Sequence, residues 1–286
     1  MTDSPRTSLP TIAVLGCGWL GLPLAKALVA AGHSVVGSTT TPTQVLALRG
    51  AGIMPYLLRL GSTLTATDVD TLRAMLTGVE VLVLNVPPRR AAADSGDYAT
   101  LLRPVWEAAI TCGVTHILFV SSTGVYPDEP RVMREHDAVA TPEASSDMLR
   151  AEALFSPTLA PWQTTVVRLS GLFGPGRLPG RFLAGRQEVT QPHAPVNLIH
   201  RTDCVGLLTS IIHQEVWGYT FNACAVQHPA RQEFYTLAAQ QLGLTPPAFT
   251  ATDTSSGKTI DSSLVRQLVA YSFQHDDVVA ALQTHA

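Results

Sequence analysis

Charge is scarce in this chain. Asp, Glu, Lys and Arg make up only 14% of its 286 residues and leave a net charge of -3, so no basic face is large enough to grip a phosphate backbone and nucleic acid is not an expected partner. Long apolar runs are absent as well. None approaches the ~18 residues that span a bilayer, and the first ten residues lack the apolar segment of a signal peptide, so the expectation is a cytoplasmic protein with no membrane partner. Cysteine is sparse: Cys17, Cys112, Cys204 and Cys224 lie far apart, with no CxxC pair and no histidine at zinc-ligand spacing. Neither a disulfide framework nor a metal site is expected, and buried free thiols are the better reading.

What the chain does have is apolar content, 46% of its residues, enough to build a substantial globular core. In the first half short β-branched runs alternate with helical patterns. Strands are expected at Thr11 to Leu15, Ser34 to Ser38, Ile53 to Leu60 (interrupted by Pro55), Val81 to Val86, His116 to Ser121 and Thr164 to Leu169. Helices are expected at Leu20 to Ala31, Thr43 to Arg49, Val69 to Leu76 and Tyr98 to Cys112, several followed by glycine. This order gives an α/β fold, a Rossmann-like doubly wound parallel sheet. The expected Rossmann domain covers 10–170, and a smaller substrate-side region, partly intertwined with the sheet, covers 171–286. A Gly/Pro/Arg-rich stretch, Gly171 to Gly185, opens that second region, and Thr250 to Gly257 reads as a loop.

Directly after the first strand comes Gly16-Cys17-Gly18-Trp19-Leu20-Gly21, a GxGxxG turn opening a helix. The first glycine permits the tight turn, the second lets backbone approach a pyrophosphate, and the third lets the helix pack on the strand. Gly16, Gly18, Trp19, Leu20 and Gly21 are the expected cofactor contacts; a purely structural glycine turn is the alternative. NAD-binding turns usually have an acid about 20 residues on, which bonds the ribose 2′-hydroxyl and repels a 2′-phosphate. No Asp or Glu occurs between Asp3 and Asp68. Ser38, Thr39 and Thr40 end the second strand instead and offer hydroxyls to a phosphate, with an exposed polar loop as the plainer reading. The expected cofactor is NADP, and NAD the alternative. No Arg or Lys adjoins these hydroxyls, so the expected preference is modest.

Together with the glycine turn, His116-Ile-Leu-Phe-Val-Ser-Ser-Thr-Gly-Val-Tyr126 resembles the extended short-chain dehydrogenase/reductase family of epimerases and dehydratases. The likeness continues through Arg168-Leu-Ser-Gly-Leu-Phe-Gly-Pro-Gly176 and Val196-Asn-Leu-Ile-His-Arg-Thr-Asp203. It is nearest to the atypical members that carry GxGxxG. The resemblance implies that Ser122, Thr123 and Tyr126 face the nicotinamide, and that Asn85, Val86 and Pro87 pass the cofactor. Arg89 and Arg90 are expected to face solvent. Ser122 has an equal alternative as a strand-end hydroxyl satisfying the loop. Members of the family pair through two helices, which here are Tyr98 to Cys112 and Ser145 to Phe155, so a homodimer is expected.

The resemblance breaks at the chemistry. The family uses a Tyr for proton transfer and a Lys four residues on, which lowers the Tyr pKa. Here the window Pro142 to Glu152 aligns Ala144 and Met148 with that pair, or in a shifted register Ser146 and Arg150. No Tyr lies between Tyr126 and Tyr219, and no Lys between Lys26 and Lys258. Val196 stands where the epimerases carry the Arg of an RxxxH pattern ending at His200. Arg177, Arg181, Arg186 and Arg201 are candidates for meeting a small anionic substrate. Tyr126 and His200 are the remaining acid/base candidates, although a lone histidine is more often structural. The expected function is an NAD(P)-binding oxidoreductase or epimerase/dehydratase-like enzyme without the usual Tyr/Lys pair. The alternative is a non-catalytic dinucleotide sensor or regulator.

Overall fold

The computed structural model describes residues 9–61, 64–88, 97–156 and 161–283. Its first half runs β1 (Ile12–Leu15), α1 (Gly21–Ala30), β2 (Val35–Thr39), α2 (Gln44–Gly50), β3 (Met54–Leu57), α3 (Ala66–Leu76), β4 (Val81–Leu84), α4 (Tyr98–Cys112) and β5 (His116–Ser122). Then come β6 (Val132–Met133), α5 (Asp147–Leu154), β7 (Gln163–Leu169), β8 (Gly171–Phe173), β9 (Leu198–His200), α6 (Arg201–His213) and β10 (Thr220–Ala223). The chain closes with α7 (Arg231–Gln241), β11 (Thr259–Ile260), α8 (Ser263–Leu268) and α9 (Val278–Gln283).

Among the described residues, seven strands form one sheet in the order β10-β7-β5-β4-β1-β2-β3. The β3–β2, β2–β1, β1–β4 and β4–β5 pairs are parallel. Every residue of β1 and β4 is buried. Strands covered on both faces read as continuous apolar runs, and Ile-Ala-Val-Leu and Val-Leu-Val-Leu are such runs. The strand order reverses between β1 and β4, which makes this a Rossmann-like α/β fold. Its ligand crevice is expected at the carboxyl ends of those two strands.

Two local features refine the sequence reading. Pro55 lies inside β3, opposite Gly37; β3 ends the sheet order, and an edge strand tolerates a residue without an N–H. Helix α3 starts at Ala66, three residues before the expected Val69, because Thr65 and Asp68 form a capping box. The Thr65 hydroxyl accepts from the Asp68 N–H at 3.1 Å, and Asp68 Oδ2 accepts from the Thr65 N–H at 3.1 Å.

The chain forms two compact units. One comprises the residues up to Ser121 with Val139–Val166 and Ile211–Tyr219; the other comprises Ser122–Ala138, Val167–Ser210 and the residues from Thr220 onward. In the first, Leu82, Leu84, Ile117 and Phe119 of the sheet pack with Leu72 and Met75 of α3 and Leu102 and Val105 of α4. In the second, β8 pairs with β9 and β11 with β6, and Phe173, Leu198, Phe234 and Val278 form a core of their own. Among the described residues no helix is long and apolar enough to cross a membrane.

All four thiols are free, with Cys17, Cys204 and Cys224 buried and Cys112 half-buried. Burial pushes Cys17 and Cys224 up to about 12 and raises Cys204 as well. The thiolate is the reacting form. Iodoacetamide at neutral pH is therefore expected to modify Cys112 alone in the folded protein and all four thiols after denaturation, as read by intact mass. More than one adduct on the native protein would show that its interior opens.

Candidate functional site

At the carboxyl end of β1 the chain turns sharply at Gly16, whose φ of +101° suits glycine alone. The turn is tied on both sides. The Gly16 N–H donates to Ser38 Oγ at 2.9 Å, Asn85 Nδ2 donates to the Gly16 carbonyl at 2.9 Å, and the Cys17 N–H donates to the Ser38 carbonyl at 2.8 Å. Ser38 lies one residue before the end of β2 and Asn85 follows β4, so the two strands flanking β1 fix its turn.

The three glycines answer to different neighbours. A Cβ on Gly16 would meet the Asn85 carbonyl oxygen at 2.5 Å, and one on Gly21 would meet the Gly16 oxygen at 2.1 Å. A Cβ on Gly18 would meet nothing within 4 Å. The first and third glycines are thus demanded by packing, whereas the second faces open space. Helix α1 begins immediately afterwards. Its N-cap, Leu20, is buried and supplies no side-chain bond, and its first turn contains no acid, so its dipole favours an anion there. Trp19 is half-buried beside it.

The hydroxyls expected to meet a ribose phosphate are placed unequally. Ser38 is buried and accepts from Gly16, and Thr39 is buried and donates to Gln44 Oε1 at 2.8 Å while accepting from the Thr41 N–H at 3.1 Å. Only Thr40 of the three is exposed. Val86, following Asn85, accepts at its carbonyl from the Tyr98 hydroxyl, and burial holds that phenol well above its ordinary pKa. Pro87 is exposed. Arg89 and Arg90 lie outside the described residues.

In the second unit, Ser122 Oγ accepts from the Gly124 N–H at 3.1 Å and so caps a single 3₁₀ turn, Thr123–Val125. Thr123 is buried. Tyr126 is interior, with a relative exposure of 3%. Its hydroxyl donates to Asn222 Oδ1 at 2.7 Å and accepts from Arg168 Nη1 at 2.8 Å. Burial raises its pKa against the opposing pull of Arg168. Arg168, itself only 2% exposed, also donates to the carbonyls of Glu135 at 2.9 Å and Ala138 at 3.0 Å. His200 is buried as well: its Nδ1 accepts from the Thr202 N–H at 3.2 Å, and its ring centroid lies 3.8 Å from that of His275. Both residues expected as substitute acid/base groups are therefore interior and engaged.

The chain is 36% identical over 267 residues to Protein YeeZ of Escherichia coli (strain K12), an alignment covering 93% of this chain and 96% of that one. A solved structure assigned as a candidate NAD-dependent epimerase/dehydratase, from Methylobacillus flagellatus, matches with a TM-score of 0.74 at 28% identity, covering 97% and 98% of the two chains. The chain belongs to the extended short-chain dehydrogenase/reductase family. Solved structures similar to it include NAD-dependent epimerase/dehydratase and short-chain dehydrogenase/reductase proteins. UDP-glucuronic acid 4-epimerase from Bacillus cereus, solved with NAD, matches with a TM-score of 0.73 over 96% and 97% of the chains; at 15% identity that likeness shows the fold. No protein-family model matches the chain.

For a member of the extended short-chain dehydrogenase/reductase family, the window expected to hold Tyr and Lys is occupied differently. Ser146 caps α5 by accepting from the Leu149 N–H at 3.5 Å, and Met148 packs on the core. Arg150 donates to Asp97 Oδ1 from Nη2 at 2.8 Å and from Nε at 3.2 Å, and it also bonds the Ala144 carbonyl and Asp147. Asp97 is the N-cap of α4, so Arg150 ties α5 to the start of α4. Two residues beyond Arg150, the buried Glu152 accepts from Ser121 Oγ at 2.5 Å.

Sequence reasoning missed Arg168, Asn222 and Glu152. Arg168 opens the Arg168–Gly176 motif and Glu152 ends the Pro142–Glu152 window, but the partners that make them tolerable in the interior come from distant segments. Arg177, Arg181 and Arg186, considered for an anionic substrate, are all exposed.

Proposed function

We propose that the chain binds a nicotinamide dinucleotide on the Gly16–Gly21 turn and acts as an NADP-preferring oxidoreductase or epimerase/dehydratase-like protein on a small molecule, without the usual Tyr/Lys pair. The observation that carries this reading is the contrast among the glycines: Gly16 and Gly21 are locked by packing, and Gly18 faces open space ahead of an uncapped α1. A pyrophosphate fits that arrangement. Asn85 and Ser38 hold the turn, and Thr40 is the exposed hydroxyl at the ribose end. A bound nicotinamide would supply hydride transfer; among the described residues Ser122 Oγ bonds the Gly124 N–H rather than a base. NADPH is expected to bind several-fold more tightly than NADH by calorimetry, because no acid from Ser4 to Thr67 repels a 2′-phosphate. Tighter NADH binding would mean that another segment reads the ribose.

A second reading, a dinucleotide sensor without turnover, is favoured by the burial of Tyr126 and His200. It expects saturable NADPH binding with no loss of reduced-nicotinamide absorbance across a panel of carbonyl compounds. Pairing of two copies through α4 and α5 belongs to either reading. Leu101, Leu102, Val105 and Leu154 are already buried within the chain, and Ile110, 37% exposed, remains on α4. A dimeric mass by light scattering at micromolar concentration is expected, and a monomeric mass removes the dimer.

A further inference from the structure

A cleft of about 200 Å³ opens in the second unit, lined by Asp128, Gln191, Val196, Asn197, Arg231 and Lys258 among others. Its two cations are not ordinary surface charges. Both are half-buried, and among the described residues neither belongs to an ion pair. Lys258 Nζ donates to the Tyr126 carbonyl at 2.7 Å, which uses one of its three protons. The Arg231 guanidinium makes one long contact, from Nη1 to Gln191 Oε1 at 3.4 Å. The single acid at the cleft, Asp128, is held elsewhere: Oδ2 accepts from Gln191 Nε2 at 3.0 Å and Oδ1 from the Lys258 N–H at 3.4 Å. Two cations thus face one carboxylate. Burial lowers the Lys258 pKa, with Asp128 acting the other way, as expected of an ammonium short of negative charge.

The walls carrying these groups are fixed. Asn197 Nδ2 donates to the Lys258 carbonyl at 2.8 Å while its Oδ1 accepts from the Ile260 N–H at 2.9 Å, and the Arg231 N–H donates to the Ala194 carbonyl at 2.9 Å. Gln191 has a φ of +57°, a conformation that costs a non-glycine residue energy and that its N–H bond to Asp253 Oδ2 at 2.8 Å supports. Ala194, Pro195 and Val196 add an apolar stretch to the lining, beside Tyr235.

We propose that this cleft binds a small organic anion, a carboxylate or a phosphate monoester, held by Arg231 and Lys258 with its short hydrocarbon part against Ala194, Pro195 and Val196. Cations already fixed in place and outside any ion pair recognise such groups through charge-assisted hydrogen bonds. The cleft is smaller than the ~300–1,000 Å³ of pockets for drug-sized ligands, which suits an anion of a few carbons and excludes a nucleoside diphosphate. The inference stands on the second unit and does not depend on dinucleotide binding by the first.

The test is calorimetric titration of the full-length protein in low-salt buffer with malonate, methyl phosphate and uridine diphosphate as probes. Saturable binding of malonate or methyl phosphate is expected, and the tighter of the two names the anionic group. Arg231→Gln and Lys258→Met should each weaken it about tenfold to a hundredfold, and Arg231→Lys should restore part of the loss. If Lys258→Met fails to fold, Arg231→Gln with an unchanged Tm decides alone. Absence of saturable binding by either small probe, or binding unaltered in the variants, overturns the proposal. So does uridine diphosphate binding more than tenfold tighter than methyl phosphate. NADPH titrated into the same samples separates the two readings, since its failure to bind would strike the dinucleotide turn and leave the anion cleft standing.

Discussion

Alanine at Gly21 is expected to destabilise the first unit, whereas alanine at Gly18 is expected to leave it folded and to weaken the proposed dinucleotide binding. The Gly21 Cβ would sit 2.1 Å from the Gly16 oxygen, 2.7 Å from Asn85 Nδ2 and 3.0 Å from the Gly16 carbonyl carbon. Neither neighbour is free to retreat. Gly16 is held by Ser38 at its N–H and by Asn85 at its carbonyl, so relief requires breaking the bonds that join β1 to β2 and β4. Overpacking of this kind costs ~1–3 kcal/mol or more, and the Tm is expected to fall by roughly 5–10 °C. At Gly18 a Cβ meets no protein atom within 4 Å, so the Tm should stay within about 1 °C of the parent, surface substitutions being nearly neutral. The same methyl group would occupy the space through which a pyrophosphate approaches the backbone, and NADPH affinity should fall at least tenfold by calorimetry. Unchanged NADPH affinity in Gly18→Ala would place the dinucleotide elsewhere.

The first unit was legible in the sequence because its periodicities are local. Buried parallel strands announce themselves as short apolar runs, so β1, β4 and β5 fall within a residue or two of the Thr11 to Leu15, Val81 to Val86 and His116 to Ser121 expected. The early start of α3 was written in Thr65-Ala66-Thr67-Asp68, a capping signature passed over in favour of the apolar spacing. Ser38 shows the limit of such reading. Its place near the end of β2 was visible, but that its hydroxyl serves the Gly16 N–H depends on the geometry of two neighbouring strands. The second unit was harder for the same reason. Strands of two residues, such as Val132–Met133 and Thr259–Ile260, pair across a large part of the chain, and their hydrophobic pattern is too short to carry a period. The anion cleft combines side chains from four separate stretches, and neither Lys258 nor Arg231 sits in a motif.

Replacing Arg168 with leucine is expected to unfold the second unit at a lower temperature than any other single change there, and Tyr126→Phe to do part of the same damage. Arg168 is tolerated in the interior because its donors reach the Tyr126 hydroxyl and the carbonyls of Glu135 and Ala138. Leucine fills much of the volume but leaves those acceptors without a donor. Each such loss costs ~1–3 kcal/mol, so a combined loss of ~3 kcal/mol or more and a fall in Tm of roughly 10 °C are expected. Lysine keeps the charge but, with one ammonium, cannot span all three acceptors, and it should recover only part. Tyr126→Phe removes a hydroxyl that both donates and accepts, at a cost of ~1–2 kcal/mol. It also removes a pH dependence. Because burial raises the phenol's pKa in the folded chain, an unfolded tyrosine ionises first, near pH ~10. Stability contributed below that pH is therefore lost as the pH climbs through it. The parent should lose Tm more steeply than Tyr126→Phe as the pH rises above about 10, as followed by thermal melts monitored by circular dichroism. A proton-transfer residue predicts the opposite pattern. In that case Tyr126→Phe abolishes turnover while the Tm and its alkaline slope stay as in the parent, and such a result would return Tyr126 from the interior framework to the reaction.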